Sequence, residues 1–456
     1  MAATAKPKLP VNIVPSFFRR RIAHRPNLLK IVDNIGWLFF DKVLRMGVGL
    51  LVGVWLARYL GPQQFGLFSF ATAFIGLFGA VAGLGLQSIV VRDIVRDPTC
   101  REETLGTAAV LQLAGGILAY GLILSTIFLL RSDDALAKWL VAILGSIMLF
   151  KASEVAMYWF ESQVLSKYTV WVQNGSFLVF AAIKVALILG NAPLLAFAWA
   201  TISEAVLVAL LLLAMLGIHG PRLRKLRVSL TRAKVLLADS WPLMLSGLAI
   251  ALYMKIDQIM LGQMLGDEAV GIYSAATRIS EVWYFIPMII VASVFPAILE
   301  AKKQSETLYH QRLQRLYDLM VWLSVAVALP MTFLAGPIVV LLYGPAYAEA
   351  GTVLAIHIWT SVFVFLGVAS SQWFIAENRQ ILGFQRTLLG AAINIFLNYI
   401  LIPQFGPIGA ATATVAAQLT AAWFFDAIQS ITRDMFFMKA KSMNLLRVFA
   451  YFIKVD

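Results

Sequence analysis

Long apolar stretches follow one another along almost the whole chain and are separated by short polar segments. Each stretch is continuously apolar instead of alternating between apolar and polar residues, which predicts helices rather than the strands of a barrel. A membrane span needs roughly 20 mostly apolar residues, and about twelve stretches meet that length. We number them spans 1 to 12, at residues 36–59, 66–91, 105–130, 139–160, 169–189, 193–218, 240–261, 272–299, 317–342, 351–376, 388–402 and 408–431. The eleventh is short as delimited, and we expect it to begin nearer Ile381.

Composition excludes a soluble enzyme or a soluble DNA-binding domain. Of the 456 residues, 60% are hydrophobic and only 13% are charged, and the mean hydropathy is +0.81. A water-soluble globule could not hide so much apolar surface. The chain has no Gly-Lys pair and hence no P-loop, its single cysteine (Cys100) can form no internal disulfide, and its four histidines are scattered. We therefore expect neither a cofactor nor a metal site.

The basic residues predict the orientation of the chain. If the N-terminus lies inside and the spans alternate, 28 of the 37 Lys and Arg residues fall in inside segments and 7 within spans. Only Arg131 and Lys138 fall in outside loops. Because cytoplasmic loops carry the excess of positive residues, both termini are predicted to be cytoplasmic. Topology also accounts for most of the net charge of +13, so we expect no nucleic-acid partner.

A 13-residue segment recurs with an offset of 205. Residues 60–72 read LGPQQFGLFSFAT and residues 265–277 read LGDEAVGIYSAAT. Both copies lie in the outside turn between the first and second spans of a six-span set, so we infer two six-helix bundles, equally oriented, around a central cavity. The predicted units are a basic cytoplasmic leader (1–35), an N-terminal bundle (36–218), a cytoplasmic linker (219–239), a C-terminal bundle (240–431) and a cytoplasmic amphipathic tail (432–456). Within the linker, 228–238 is predicted to form an amphipathic helix on the membrane surface.

Motifs in both halves resemble the polysaccharide transporter family of the MOP flippase superfamily. They are KIDQIMLG at 255–262, LG at 265–266, VGIY at 270–273, RI at 278–279, FIP at 285–287 and FP at 295–296, with ARYLGP at 57–62 and FG at 65–66 in the first half. The similarity covers about 34–432, nearly the whole predicted membrane region. It implies an all-α integral membrane fold, like that of the MATE transporters, and no catalytic residues.

The resemblance also implies a function and partners. Members similar to this chain flip undecaprenyl-pyrophosphate-linked oligosaccharides, such as O-antigen repeat units of lipopolysaccharide, from the inner to the outer leaflet of the bacterial inner membrane. The implied partners are the lipid-linked glycan and membrane lipids, with a glycan polymerase and chain-length proteins as further candidates. Lipid II or another lipid-linked glycan remains an alternative substrate.

Ionisable side chains at membrane depth form the candidate site, because each costs at least about 2.5 kcal/mol and so needs a partner or a function. Deep cations outnumber deep anions, and Lys and Arg suit the oxygens of a pyrophosphate. The candidate substrate-binding residues are Lys42, Arg45, Lys151, Lys184, Lys255 and Arg278, with Arg58, Tyr158, Trp373 and Asn394 as weaker candidates. The carboxylates of Glu204 and Asp257 are candidates for coupling to protons or sodium.

Several of these assignments have a structural alternative. Lys151, Glu154 and Tyr158 share one helical face, which fits either the lining of a wet cavity or a Lys151–Glu154 pair that neutralises itself. Lys42 and Arg45 fit either capture of an incoming anionic headgroup or snorkelling to the cytoplasmic surface.

The second bundle and the remaining polar residues leave similar alternatives. Lys255 and Asp257 are two positions apart, so one should face the cavity and the other a neighbouring helix. Arg278 and Glu281 fit a helix-internal pair as well as a binding site. His357 is expected to be packed and neutral.

Two further functional classes make different predictions. A multidrug or toxin exporter of the same superfamily predicts a cavity dominated by acidic residues. A membrane enzyme acting on glycans predicts a sizeable outside loop with paired acids, whereas the outside loops here are short.

Overall fold

The computed structural model describes residues 26–377 and 379–444, with side chains described from residue 36 onward except Ile375. Most of the predicted leader and the end of the predicted tail lie outside this part of the chain. Within it the chain is helical, without strands, and ten stretches are long and apolar enough to cross a membrane. We label the α-helices α1 Pro26–Leu77, α2 Gly79–Gly83, α3 Leu86–Arg96, α4 Arg101–Leu130, α5 Ala135–Gly145, α6 Val155–Ser162, α7 Lys167–Leu189, α8 Leu194–His219, α9 Leu230–Met264, α10 Asp267–Glu281, α11 Phe285–Gln304, α12 Glu306–Tyr343, α13 Glu349–His357, α14 Thr360–Ala376, α15 Gln380–Leu419, α16 Phe425–Ile428 and α17 Arg433–Met443.

Two of the ten stretches each contain a helical hairpin. At Gly61 the backbone of α1 leaves the helical region, with φ 71° and ψ 170°, and the guanidinium of Arg278 contacts both Gly53 and Phe65. A straight helix would separate those two residues by about 18 Å. Gly406 divides α15 in the same way, because a Cβ on Gly409 would meet the main-chain oxygen of Leu401 at 2.3 Å. Counting both hairpins gives about twelve spans, as the apolar pattern predicts.

Five of the predicted spans are interrupted rather than continuous, and span 12 is among them because Thr420–Phe424 is π-helical. Span 2 bends where Leu84 and Gly85 adopt positive φ, between α2 and α3. Span 4 contains a 3₁₀ segment, Ser146–Glu154, between α5 and α6, and span 8 contains a shorter one, Val282–Tyr284. Span 10 breaks between α13 and α14. Such breaks inside membrane helices place irregular backbone against protein or a cavity, where its polar groups can be satisfied.

The linker does not form a separate surface helix. Ser229 caps α9 by accepting from the Arg232 N–H, and α9 then runs unbroken through the predicted boundary at 239 and 240. The start of α9 is held on the first bundle, because Arg232 pairs with Asp93 at 2.8 Å and Asp239 pairs with Arg92 at 2.5 Å. Hydrogen bonds from Arg92 to Asp239 and Asp93 raise the pKa of that guanidinium. These pairings explain why the helix continues instead of lying along the headgroups.

The described part of the predicted tail docks against the second bundle. Lys439 of α17 is fully buried and donates to Asp426 at 2.6 Å and to the carbonyl of Ala422 at 2.7 Å. Gln314 and Asp318 of α12 complete the contact through Ser442. This segment is therefore anchored by a buried ion pair and not only by its apolar face.

Candidate functional site

The two copies of the repeat pack directly against each other. A Cβ on Gly66 would lie 1.7 Å from the main-chain oxygen of Asp267, and a Cβ on Gly271 would lie 2.0 Å from that of Pro62. Adding the offset of 205 to Pro62 and Gly66 gives Asp267 and Gly271, so each contact is the repeat-related equivalent of the other. This is expected for two halves related by a pseudo-twofold axis. Gly266 repeats the backbone conformation of Gly61, with φ 92° and ψ −178°. We call this contact of Pro62, Gly66, Asp267 and Gly271 the outer closure, because the charge pattern predicts that it lies on the outer side.

Buried side chains from both halves surround the outer closure. Tyr347 donates from its hydroxyl to the carbonyl of Ala57 at 2.7 Å, across the halves. The rings of Phe65 and Tyr347 lie 6.2 Å apart in an edge arrangement. One hydrophobic cluster contains these residues together with Phe70 and Tyr273. The two bundles are therefore sealed against each other at this level.

One of the six candidate cations, Arg278, lies where the halves meet. The Arg278 guanidinium of α10 reaches the first bundle, 4.8 Å from the Phe65 ring centroid and against Gly53. Lys255 lies on α9 and Glu281 at the end of α10, both in the same bundle as Arg278. Neither cation forms an ion pair with a carboxylate of the described residues, so the predicted Arg278–Glu281 pair is absent. We call Lys255, Arg278 and Glu281 the cationic seam.

The cations of α1 have different surroundings. Arg45 donates to Asp41 at 2.8 Å and to the side-chain oxygen of Asn174 at 3.2 Å, and it lies over the Phe177 ring. It therefore joins α1 to α7 and is partly neutralised. Lys42 is exposed and has no carboxylate partner among the described residues.

The charge of Lys184 is already balanced by a carboxylate on a neighbouring helix. Its ammonium lies 3.0 Å from the carboxylate of Glu204, between α7 and α8, with less than a fifth of each side chain exposed. A buried pair of this kind stabilises the bundle only if both partners stay. The structure therefore brings together two residues to which the sequence assigned different roles, one substrate-binding and one ion-coupling.

Lys151 forms the local pair that the sequence left as an alternative. Its ammonium lies 2.7 Å from Glu154, within the 3₁₀ segment, where residues three apart are eclipsed. Tyr158 donates to the same carboxylate at 3.5 Å and accepts from Gln112 at 2.7 Å. About 30% of the Lys151 and Glu154 side chains stays exposed, so this pair is not enclosed.

Asp257 lies in a buried network of neutral donors. Its carboxylate accepts from Asn398 at 2.5 Å, from Tyr273 at 2.6 Å and from Thr414 at 2.7 Å. Only 4% of Asp257 is exposed, and no described cation pairs with it. Asn394 accepts from Asn398 at 3.2 Å, while the other side-chain atoms of both amides, Asn394 Nδ2 and Asn398 Oδ1, have no partner.

The remaining candidates lie away from the seam. Arg58 is exposed and approaches the Gly344 turn, and Trp373 packs edge-on against Phe374 in a separate apolar cluster. His357 is buried with its Nδ1 2.9 Å from the Ser280 hydroxyl, in agreement with the packed histidine that we predicted.

Sequence reasoning missed three important residues. Thr414 carries no charge and follows no motif, and Tyr273 was visible only as the aromatic member of the repeat. Arg131 was counted as a loop charge, yet its guanidinium pairs with Asp267 across the halves at 2.8 Å. For the Arg131–Asp267 pair the repeat offered a signal, since the charged Asp267 stands in the second copy where Pro62 stands in the first.

Comparison with known proteins agrees with this architecture. The family model described as polysaccharide biosynthesis protein matches residues 31–302, and the model described as MatE matches residues 242–400. The probable flippase AglR of Haloferax volcanii is 24% identical over 393 residues, which cover 83% of this chain and 79% of that protein. The succinoglycan biosynthesis transport protein ExoT of Rhizobium meliloti is 26% identical over 341 residues, which cover 72% of this chain and 66% of that protein.

Solved structures show the same fold. The lipid II flippase MurJ in an inward closed conformation has a TM-score of 0.70 at 16% identity, covering 93% of each chain. An inward-facing multidrug resistance MATE transporter of the MOP superfamily has a TM-score of 0.68 at 17% identity, covering 91% of this chain and 96% of that one. The family match extends over more than half of the sequence. This multi-pass membrane protein therefore belongs to the polysaccharide biosynthesis protein family.

Proposed function

We propose that this protein flips a polyprenyl-pyrophosphate-linked oligosaccharide from the inner to the outer leaflet of the bacterial inner membrane. The undecaprenyl-linked repeat unit of an O-antigen or similar surface polysaccharide is the substrate class we favour. Both termini are cytoplasmic in this proposal, as the distribution of basic residues predicts. The names of the relatives AglR and ExoT support a role in glycan export.

The observation that carries the proposal is the cationic seam. Arg278 lies against Gly53 and Phe65 of the first bundle, and neither it nor Lys255 forms an ion pair with a carboxylate of the described residues. A pyrophosphate brings more than one negative charge and several strong acceptor oxygens. Arg supplies a fork of donors and Lys a point charge, and both act strongly at low dielectric.

The path of the substrate follows from the surrounding charges. Lys42, exposed in the cytoplasmic third of span 1, is placed to meet the headgroup first. Its sugars and phosphates cannot cross hydrocarbon unaided, because each unpaired polar group costs several kcal/mol. They would pass between the bundles while the isoprenoid tail stays in lipid, and rocking of the halves would open the outer closure.

Export of a cationic drug is less consistent with this arrangement. Such a cavity needs an excess of carboxylates, but Glu204 is neutralised by Lys184 and Asp257 faces its own bundle. In the seam, Glu281 is outnumbered by Lys255 and Arg278. The seam therefore has an excess of positive charge. A membrane potential that is negative inside drives an anion outward by about 2.3 kcal/mol per charge per 100 mV.

Asp257 is the residue we propose for coupling to a proton or a sodium ion. It is a buried carboxylate without a cationic partner, surrounded by oxygens of Asn394, Thr414 and Tyr273. A proton or a small cation there would neutralise the charge, and intramembrane carboxylates of this kind mark ion pathways. Glu204 is the weaker choice because Lys184 already satisfies it.

Reconstitution in proteoliposomes tests the function. Labelled undecaprenyl-pyrophosphate oligosaccharide should appear in the opposite leaflet with the native protein, and the rate should fall at least tenfold with Arg278→Gln. The matched control is Lys303→Gln, because Lys303 is exposed at the end of α11. Movement of a cationic dye, without movement of the lipid-linked glycan, would instead assign the protein to drug export.

A further inference from the structure

Arg131 occupies a specialised position beside the outer closure. It follows the last residue of α4 and belongs to the first bundle, yet its guanidinium also contacts two residues of the second. Its Nη2 lies 2.8 Å from Asp267 Oδ1, and its Nη1 donates to Asp267 Oδ2 at 3.0 Å. The same Nη2 donates to the main-chain oxygen of Gly262 at 2.9 Å. The guanidinium thus contacts Gly262 and Asp267, which lie on either side of the turn that joins α9 to α10.

The environment of this pair makes it stronger than an ordinary surface ion pair. Only 11% of the Arg131 side chain and 10% of the Asp267 side chain are exposed. The guanidinium also lies flat against Phe70, 4.1 Å from the ring centroid, and Asp134 accepts a further hydrogen bond at 3.3 Å. An ion pair that includes a charge-assisted hydrogen bond and is shielded from water is stronger than a hydrogen bond between neutral groups.

The pair is coupled directly to the backbone contact of the two repeats. Asp267 presents its main-chain oxygen to Gly66 and its carboxylate to Arg131. The equivalent position in the first copy is Pro62, which has no side-chain charge, so the pair has no counterpart related by the pseudo-twofold axis. Any motion that separates Gly66 from Asp267 must also break the Arg131 contact.

We propose that Arg131 is the latch that holds the outer side of this transporter closed. Breaking its pair with Asp267 is a required step whenever the halves part on the outside. Arg131 is a positioning residue in this account, since it sets the population of the outward-open state without contacting the substrate. The inference uses the alternating access of the proposed function, but not the identity of the substrate.

Labelling of a single cysteine tests the latch without any glycan. In a Cys100→Ser background, Ser69→Cys is the reporter, because Ser69 lies one turn deeper than Gly66 on the same face. Ser69 is 5% exposed and its hydroxyl has no partner, so the substitution breaks no hydrogen bond. A membrane-impermeant maleimide added from outside should label the reporter slowly in the native protein.

Arg131→Gln should raise the labelling rate about tenfold or more, since hydrogen bonds to charged groups contribute about 1.5–3 kcal/mol. Asp267→Asn keeps the shape of the side chain and the contact of the main-chain oxygen with Gly66, and it should raise the labelling rate by a similar factor. The double variant should label no faster than the faster single variant, as expected for partners in one interaction. Lys138→Gln, in the first turn of α5, should leave labelling unchanged, because the Lys138 ammonium contacts, among the described residues, only the Ser132 carbonyl and the Phe128 ring of its own bundle.

Two results would contradict the proposal that Arg131 holds the outer side closed. One is an unchanged labelling rate in Asp267→Asn, a variant that retains the fold-determining backbone contacts. The other is additivity of the two substitutions, which would mean that they act separately. Because labelling needs no substrate, either result would leave the flippase proposal standing, and failure of glycan transport would leave the latch standing.

Discussion

Gly66 of the first bundle lies so close to the main-chain oxygen of Asp267 in the second that a Cβ would fall 1.7 Å away. The partner atom belongs to the backbone, so no side-chain rotation can relieve the collision. Gly271 and Pro62 repeat the contact from the other side at 2.0 Å. The absence of a side chain at two positions is therefore a condition for sealing the outer side of the protein.

Replacing these glycines should prevent that seal. In Gly66→Ala or Gly271→Ala, we expect the bundles to stay apart outside, and glycan transport to fall at least tenfold because the cycle cannot complete. External labelling of Ser69→Cys should rise in the same variants. Gly76→Ala is the control, since no atom lies within 4 Å of the Cβ position. Equal transport by Gly66→Ala and Gly76→Ala would show that the seal is unimportant.

The cations of the two bundles should differ in their contribution to transport. Lys151 and Lys255 replaced together by Ala should abolish flipping while membrane insertion stays intact. Most of the loss should come from Lys255→Ala alone, because Lys151 is matched locally by Glu154. Transport rates of the two single variants in proteoliposomes decide this. Normal glycan export by the double variant would refute the role of both residues.

Asp257→Asn should remove the response of transport to an imposed ion gradient, because the neutral amide can neither take up a proton nor balance sodium. Transport driven by a pH gradient and by a sodium gradient should be measured separately, and whichever gradient accelerates the native protein should lose its effect. The control removes the other deep carboxylate together with its partner, as Lys184→Met with Glu204→Gln. This control avoids leaving one buried charge unpaired. Loss of coupling in the control alone would transfer the role to Glu204.

The buried pair of Lys439 and Asp426 should anchor α17. Asp426→Asn leaves a buried ammonium without its counterion, and breaking such a pair costs about 3–5 kcal/mol. We expect a lower Tm in detergent and faster proteolysis between α16 and α17. Replacing both residues by apolar ones, Lys439→Met with Asp426→Leu, should recover most of the Tm. Failure of the paired replacement to recover stability would mean that the charges themselves are required.

The apolar pattern predicted the spans well, because crossing a membrane constrains length and polarity residue by residue. The repeated glycines at 61 and 266 also predicted a shared turn, since both use a backbone conformation that favours glycine. These features depend only on local sequence.

The partner of each charged side chain at membrane depth was harder to predict, because it depends on how neighbouring helices are rotated. Lys184 and Glu204 are 20 positions apart, and only the packing of α7 on α8 brings them within 3.0 Å. The 3₁₀ segment of span 4 and the contact of Arg131 with the opposite bundle likewise follow from tertiary packing. The local sequence therefore identified the candidate charges but not their partners.

The most direct test of the cationic seam is a binding measurement with two ligands that share the same glycan and the same polyprenyl chain. One ligand carries the pyrophosphate and the other links the sugar to the lipid without phosphate. The native protein should bind the pyrophosphate form at least about tenfold more tightly, a difference of about 1.4 kcal/mol. The Lys255→Gln/Arg278→Gln variant should bind both ligands alike. Equal affinities in the native protein, or an unchanged preference in the variant, would contradict the claim that these two cations hold the phosphates.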